Sequence, residues 1–454
     1  MHTSVTIEKA RLLDRDHRLI SIGMIALVAL AAFEAMAVTA AMPAVADALD
    51  GLELYPLAFA LPLATAIVGM AVGGAISDRR GPEPALVGGV IIFTAGLIIA
   101  GLAPTMATLA MGRGVQGFGA GVFLVALYVV VAQHFTESLQ PRVFAAFAGA
   151  WVLPALVGPA IAGLLVDHVG WRWVFLSVPI LAVVALALLL PSMRRPVRTS
   201  HEEDARIDAA RILWSIAAGA SAIALHLAGT SSLLVGLAFG IVGVTGLFLS
   251  IPRLLPAGTM RVRPGLPAVV AMRGVISGAF VSAEVLVPLL LNRERGLSPG
   301  TAGLTLTAAA LAWSAGSWWQ GRDKVTTPRW RIGLYGTLFL TAGIASSALI
   351  ALPAVPVSFA LFAWALSGLG MGMVMPTLSL LTLSASAPGD EGRNSSALQI
   401  SDALASTVAL AVTGTAFVAL IDLGGVLAYL VGFGTAAALA VFAASRARRM
   451  APAE

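Results

Sequence analysis

Cysteine is absent from all 454 residues, lysine occurs only at Lys9 and Lys324, and charged side chains make up 11% of the chain. The first absence excludes disulfides and thiolate chemistry, without placing the compartment. The second goes with the lack of any Gly-x-x-x-x-Gly-Lys-Ser/Thr loop, so ATP is not expected as a fuel. The third is the most informative. Soluble domains carry about 25% charged residues, so most of this chain must face lipid or other helices. Metal-ligand spacing is missing too: His201-Glu202-Glu203-Asp204-Ala205 fails the two-histidine zinc pattern and lies outside the apolar runs. The Gly-x-Gly-x-Gly runs sit inside apolar stretches with no strand before them, which removes a dinucleotide loop. No cofactor, metal, catalytic residue or nucleic-acid partner is expected, and no enzyme.

What the chain has is apolar length: 58% hydrophobic residues and a mean hydropathy of +0.92. In a bilayer only helices and closed barrels satisfy their backbone, and these runs lack the alternation of barrel strands. Fourteen of them meet the ~20 residues of a membrane span: Leu19–Ala46, Tyr55–Ser77, Pro84–Ala103, Met106–Ala132, Val143–Val166, Trp173–Leu190, Ile212–Ala228, Leu233–Ile251, Leu266–Leu291, Ala302–Trp319, Ile332–Leu352, Val357–Thr382, Ser395–Leu420 and Val426–Ala444. The first is too long for a signal-peptide core and has no clear cleavage context, so no cleavable signal is expected. An even count puts both termini on one side. With that side inside, 23 of the 28 Lys/Arg fall in cytoplasmic segments; Arg172, Arg293 and Arg295 fall outside, and Arg113 and Arg273 within spans. The positive-inside rule therefore predicts a multi-pass protein of the inner (plasma) membrane with both termini cytoplasmic. The basic excess belongs to a membrane face.

The spans divide into halves of near-equal length, residues 19–190 and 266–444, and the domains are read as 1–192, 193–265 and 266–454. The middle segment holds a charged linker, Arg194–Arg211, expected to be solvated, and a hydrophobic hairpin expected at the periphery. Parallel six-helix halves are a transporter architecture. Gly117-x-Gly119-x-Gly121 in helix 4 recurs as Gly368-x-Gly370-x-Gly372 in helix 12, although membrane glycines often serve close packing alone.

Five charges lie well inside spans: Glu34, Arg113, Arg273, Glu284 and Asp402. Such charges are costly and usually mark ion or substrate paths. At ~1.5 Å per residue, Arg113 and Glu284 lie about 10 Å from the outer face, and Arg273 and Asp402 about 10 Å from the cytoplasmic face. Glu34 is near mid-membrane. Desolvation favours a neutral carboxyl and a nearby cation favours a charged one, so Glu34 can exchange a proton for a cationic substrate; a permanent structural pair with Arg113 is the alternative. Glu284 either shares that coupling or decorates the outer vestibule. Trp151, Trp313, Trp318, Trp319 and Trp364 read equally as interfacial anchors, core or pocket walls, with Trp313 and Trp151 taken as cavity candidates.

Five motifs follow in order: Glu34 nine residues before Pro43; Gly74-Ala75-Ile76-Ser77-Asp78-Arg79-Arg80-Gly81; Arg113-x-x-Gln116-Gly117-x-Gly119-Ala120; Gly158-Pro159-x-x-x-Gly163; and Gly170-Trp171-Arg172-Trp173-x-Phe175. Together they resemble the major facilitator superfamily, and the inserted hairpin resembles its drug:proton antiporter branch with fourteen transmembrane helices. The chain departs from the family at Pro82 and Glu83, where a basic pair is usual, at Ala145 and Pro154, where glycines are, and at Glu34, where Asp is.

The resemblance implies an all-α integral membrane fold of two six-helix bundles plus a two-helix hairpin. It implies a central cavity lined by helices 1, 4, 9 and 12, with Glu34, Arg113 and Glu284 coupling protons and Glu34, Gln116, Glu284, Trp151 and Trp313 facing substrate. Gly74, Asp78, Arg79 and Gly81 would form a gate, with Asp78 on the start of helix 13 at Arg393-Asn394-Ser395-Ser396. Gly158 and Pro159 would seal the outward end between the halves. Helices 9 and 13 would be neighbours, so Arg273 and Asp402 are expected to form a salt bridge. The function expected is proton-coupled efflux of small amphiphilic, cationic or zwitterionic drug-like compounds by alternating access, by a monomer whose partners are substrate, protons and bilayer. The alternatives are an exporter or facilitator of a metabolite or lipid, with or without proton coupling, and a non-transporting membrane receptor or enzyme.

Overall fold

A computed structural model describes residues 12, 14, 17–51, 54–193, 209–228, 233–297, 299–322, 326–421 and 425–451. They form fourteen long α-helices and no strand. The first six are α1 (Arg18–Ala48), α2 (Tyr55–Arg80), α3 (Pro82–Gly101), α4 (Met106–His134), α5 (Gln140–His168) and α6 (Arg172–Met193). A pair follows, α7 (Ala209–Ala228) and α8 (Leu233–Leu254). The last six are α9 (Leu266–Arg293), α10 (Pro299–Gln320), α11 (Arg329–Ala348), α12 (Phe359–Ser384), α13 (Glu391–Ile421) and α14 (Gly425–Arg446). Of the acidic and basic linker before α7, including His201 to Ala205, residues 194–208 lie outside the described residues.

Several helices outrun the apolar stretches that announce them. α13 begins at Glu391, four residues before the apolar run, because a polar first turn is free to continue a helix once its N–H groups find acceptors. Thirteen helices are long and apolar enough to cross a membrane on their own composition, and α10 is the exception. Its Thr305, Ser317 and Gln320 are buried against neighbours instead of facing lipid. Ser317 Oγ donates to the Gly372 carbonyl of α12 at 2.9 Å. That carbonyl has lost its intrahelical donor, because Pro376 one turn later has no N–H.

The two halves repeat one packing order. α4 lies between α2 and α3 as α12 lies between α10 and α11, and α1 packs on α5 and α6 as α9 packs on α13 and α14. The glycine echo has a definite geometry. A side chain at Gly117 or Gly121 would overlap the Pro62 or Ala66 carbonyl of α2, while one at Gly119 would run into Phe93 of α3. In the other half Gly368 and Gly372 face Ala309 and Trp313 of α10, and Gly370 faces Gly336 and Leu340 of α11. Each triplet wedges the central helix between two others at backbone contact, as small residues allow in membranes.

The halves meet at the end of the bundle that carries Asp78. There Gly74 of α2 touches Gly392 and Ser396 of α13, and Gly321 lies on Pro141 and Ala145 of α5. Gln320 Nε2 also donates to the Pro141 carbonyl at 3.4 Å. Leu380 and Leu383 of α12 join the apolar core of the first half at this end. Toward the other end, α5 buries only a stripe four residues apart, Ala150, Pro154, Gly158 and Ala162. Gly158 in that stripe faces Met36 and Phe33 of α1, within its own half, while Leu153 and Leu164 are 66% and 61% exposed. The α7–α8 hairpin lies outside α2, with Gly219 against the Ala64 carbonyl. α7 also reaches α13, where Arg211 Nη2 donates to the Arg393 carbonyl at 3.0 Å.

Candidate functional site

Helix α4 is crowded on two sides. Gly112 and Gly119 press on α3, and Gly114, Gly117 and Gly121 on α2. The remaining face carries Arg113 and Gln116, one turn apart and therefore side by side. Opposite them, near the middle of α1, stands Glu34. The Arg113 Nη1 donates to Glu34 Oε1 and to Gln116 Oε1 at 2.9 Å. Gln116 Nε2 donates in turn to Glu34 Oε2 at 3.1 Å. All three side chains are buried, Glu34 to 3% exposure. The triad is closed and formally neutral, so a proton added to Glu34 leaves Arg113 as an uncompensated buried cation, which is costly.

A second ion pair lies in the other half, toward the Asp78 end. Arg273 of α9 donates through Nε to Asp402 Oδ2 at 2.7 Å. Its Nη2 donates to Gln399 Oε1 at 3.2 Å and its Nη1 to the Met375 carbonyl of α12 at 3.4 Å. The Tyr128 hydroxyl of α4, in the first half, lies near the same guanidinium. Asp402 is eleven residues into α13, not seven as the apolar run suggests, and the arginine's reach closes the difference. Close approach of the two helices is set by Gly274 and Gly278, which face Ser401, Ala405 and Ala409.

Glu284 has different surroundings. It is half-buried on α9, and no hydrogen bond or ion pair to it is seen among the described residues. One turn before it, Phe280 stacks on Trp364 at 5.0 Å and meets Trp313 edge-on at 5.5 Å. The register that lays Gly117 over Gly368 puts Trp364 at the place of Arg113 and Ser367 at that of Gln116. An indole therefore occupies the position of the guanidinium, and among the described residues the carboxyl in this half has no ion-pair partner. Trp151 is 44% exposed on α5 and outside this aromatic cluster.

At the closed end, Asp78 caps α13 from the other half. Its Oδ1 accepts from the Gly392 N–H and its Oδ2 from the Arg393 N–H, each at 2.7 Å. Charge and helix dipole favour the contact. Arg393 belongs to the Arg393-Asn394-Ser395-Ser396 stretch that sequence suggested, and Gly392 lies one residue before it, because α13 itself starts earlier, at Glu391. Gly81, at φ +81, makes the one-residue link from α2 to α3. Pro82 then serves at the first helical position and Glu83 in the first turn, which suits a helix N-terminus better than a basic pair would. Arg79 is exposed beside this turn. Gly158 packs on α1 within its own half while Pro159 is exposed.

Sequence reasoning missed Gln399, Tyr128 and Phe280. Gln399 had a signal: it precedes Asp402 by one turn, as Gln116 follows Arg113 by one turn. Tyr128 and Phe280 had none, since each is one aromatic residue in an apolar run.

The family model of the Major Facilitator Superfamily matches residues 24–410. Among curated relatives, an uncharacterized MFS-type transporter of Mycobacterium tuberculosis, Rv1877, is 27% identical over 77% of this chain and 52% of its own length. The chain thus spans about half the length of that relative. The multidrug efflux pump SdrM of Staphylococcus aureus is 23% identical, covering 77% of this chain and 78% of the pump. Among solved structures, the human organic anion transporter MFSD10 (TETRAN) superposes with a TM-score of 0.72 at 14% identity, covering 95% of this chain and 99% of that one. The proton:xylose symporter XylE gives 0.64 at 16% identity, over 93% and 94%. At these identities the structures speak for the fold alone.

Proposed function

The chain belongs to the Major Facilitator Superfamily, whose members are transporters and not enzymes, and we infer that it is a proton-coupled exporter of small amphiphilic cations or zwitterions. One observation carries this reading: the buried Glu34–Arg113–Gln116 triad, closed on itself on α1 and α4. In the working cycle, protonation of Glu34 releases Arg113 and favours one arrangement of the halves, and loss of the proton restores the ion pair and favours the other. The halves rock about a mid-membrane site. Support for the substrate class comes from Glu284, an unpaired carboxyl one turn from the Phe280–Trp313–Trp364 cluster, since aromatic faces and a carboxylate together suit an organic cation. The name of the Staphylococcus aureus pump is in keeping with this class.

The basic residues gathered at the Asp78 end support a cytoplasmic setting for that end and for both termini, in the inner membrane. On that setting the contacts between the halves at the Asp78 end form a closed cytoplasmic latch. Glu34→Gln is the test, in proteoliposomes with an imposed pH gradient. The amide keeps the shape of the triad and cannot release a proton. The variant is expected to fold and bind substrate but to lose uphill efflux by at least tenfold. Efflux with an unaltered pH response would move the coupling site elsewhere, with Glu284 next in line.

A further inference from the structure

The two halves differ in how their second and third helices are joined. α2 and α3 are linked by Gly81 alone, whereas residues 321–328 separate α10 from α11. The short link holds α2 and α3 in contact. The long one lets α10 and α11 diverge, and a groove of about 940 Å³ opens between them with α12 as its floor. This volume is at the upper end of the ~300–1,000 Å³ of ligand pockets. Trp318 and Trp319 form one wall and Tyr335 and Phe339 the other, with Met373 beneath. All four wall residues are exposed, on a helix pair whose apolar surroundings are the membrane. Arg322 stands at the mouth, its guanidinium 3.6 Å from the Trp318 ring centroid, and among the described residues no acidic one lines the groove.

Charge and dimensions name an occupant. The α10 wall runs from Ala315 to Arg322, which at ~1.5 Å per residue is about 10 Å. That fits within the ~15 Å half-thickness of a ~30 Å hydrocarbon core, so the groove belongs to one leaflet, the one at the Asp78 end. Its mouth is cationic and its length is aromatic and aliphatic. We propose that this groove is a binding site for an acidic glycerophospholipid, with one acyl chain between α10 and α11 and the phosphate on Arg322. Trp318 holds the guanidinium by its face and leaves the N–H edge free for phosphate oxygens, a geometry that suits arginine. The site is separate from the central triad and does not depend on the transport reading.

The full-length protein in phosphatidylcholine nanodiscs, titrated with phosphatidylglycerol, tests this by thermal unfolding and by native mass spectrometry of retained lipids. Wild type is expected to be stabilised and to retain the acidic lipid. Arg322→Ala should weaken the apparent affinity at least fivefold, with its unfolding temperature in pure phosphatidylcholine unchanged, and Arg322→Lys should fall between. Ala315→Phe, which fills the groove from its apolar side, should abolish retention and serves if the arginine variant does not fold. Glycerol phosphate without a tail should have no effect. Equal responses of wild type and Arg322→Ala, equal stabilisation by neutral and acidic lipid, an effect of glycerol phosphate, or displacement of the lipid by a cationic amphiphile would each overturn the proposal.

Discussion

On equivalent first helices of the two halves stand two glutamates. Glu34 accepts hydrogen bonds on both carboxyl oxygens from side chains of α4. Glu284 is half-buried with no such partner among the described residues, and where α4 has Arg113 the matching helix α12 has Trp364 stacked on Phe280. The packing order matches, down to glycines that seat α4 and α12 against equivalent neighbours. The comparison teaches that the repeat preserves what close helix packing requires and leaves the side chains on the remaining face of α4 and α12 free to diverge. One half thereby gains a neutral ion pair and the other a carboxyl with no ion pair among the described residues, one turn from an aromatic cluster, on one scaffold.

The comparison can be broken most strongly from its paired side. Arg113→Ala strands Glu34 in an apolar helix pair and is expected to cost about 3–5 kcal/mol of stability, the scale for unpairing a buried charge. Adding Glu34→Gln should recover much of that loss, a coupling read from a double-mutant cycle of unfolding midpoints. Additive losses would mean that the triad is not energetically closed.

A smaller effect is expected at Arg273 and Asp402, because the Asp402 side chain is 28% exposed and its charge is partly screened. Arg273→Asp and Asp402→Arg should each lower stability by about 2 kcal/mol, and the double exchange should restore expression and transport. No recovery in the double variant would count against a direct pairing in the working protein.

At the latch, Asp78→Asn leaves one of the two backbone N–H groups of α13 without an acceptor. The cost of about 1 kcal/mol corresponds to a roughly fivefold shift toward opening of that end. Since the chain has no cysteine, cysteines placed at Arg80 and Glu391 can carry spin labels without background, and their distance distribution reads the shift. An unchanged distribution would assign Asp78 no part in holding the end closed.

Smallest of all should be the stability effect of Glu284→Gln, below about 0.5 kcal/mol, as for a site with no partner to lose. Its effect should be on substrate: cationic compounds transported at least several-fold less well, neutral ones unaltered. A stability loss as large as that of Arg113→Ala would erase the contrast between the halves.

Much of this was legible in the residues. Long apolar runs with few charges can only be membrane helices, and fourteen helices are found. Each intramembrane charge stands out because its burial is expensive, so Glu34, Arg113, Glu284, Arg273 and Asp402 were visible before any geometry. What escaped was whatever costs nothing by itself: the amide of Gln399, the ring of Phe280, the hydroxyl of Tyr128. Helix ends escaped as well, as at α13, where the acceptor for its first N–H groups comes from α2, more than 300 positions away in the chain.

The chain alone determined its class, its helix count and the inventory of charges it must neutralise, since these follow from transfer free energies that act residue by residue. Only the tertiary structure decided which charges are neutralised and by what. Glu34 and Glu284 look alike in sequence, each an acid in an apolar helix, and differ because one is paired with a guanidinium on a distant helix while, for the other, an indole stands at the equivalent place of that guanidinium. That choice depends on helix rotation and on contacts at backbone distance, and no local pattern encodes either.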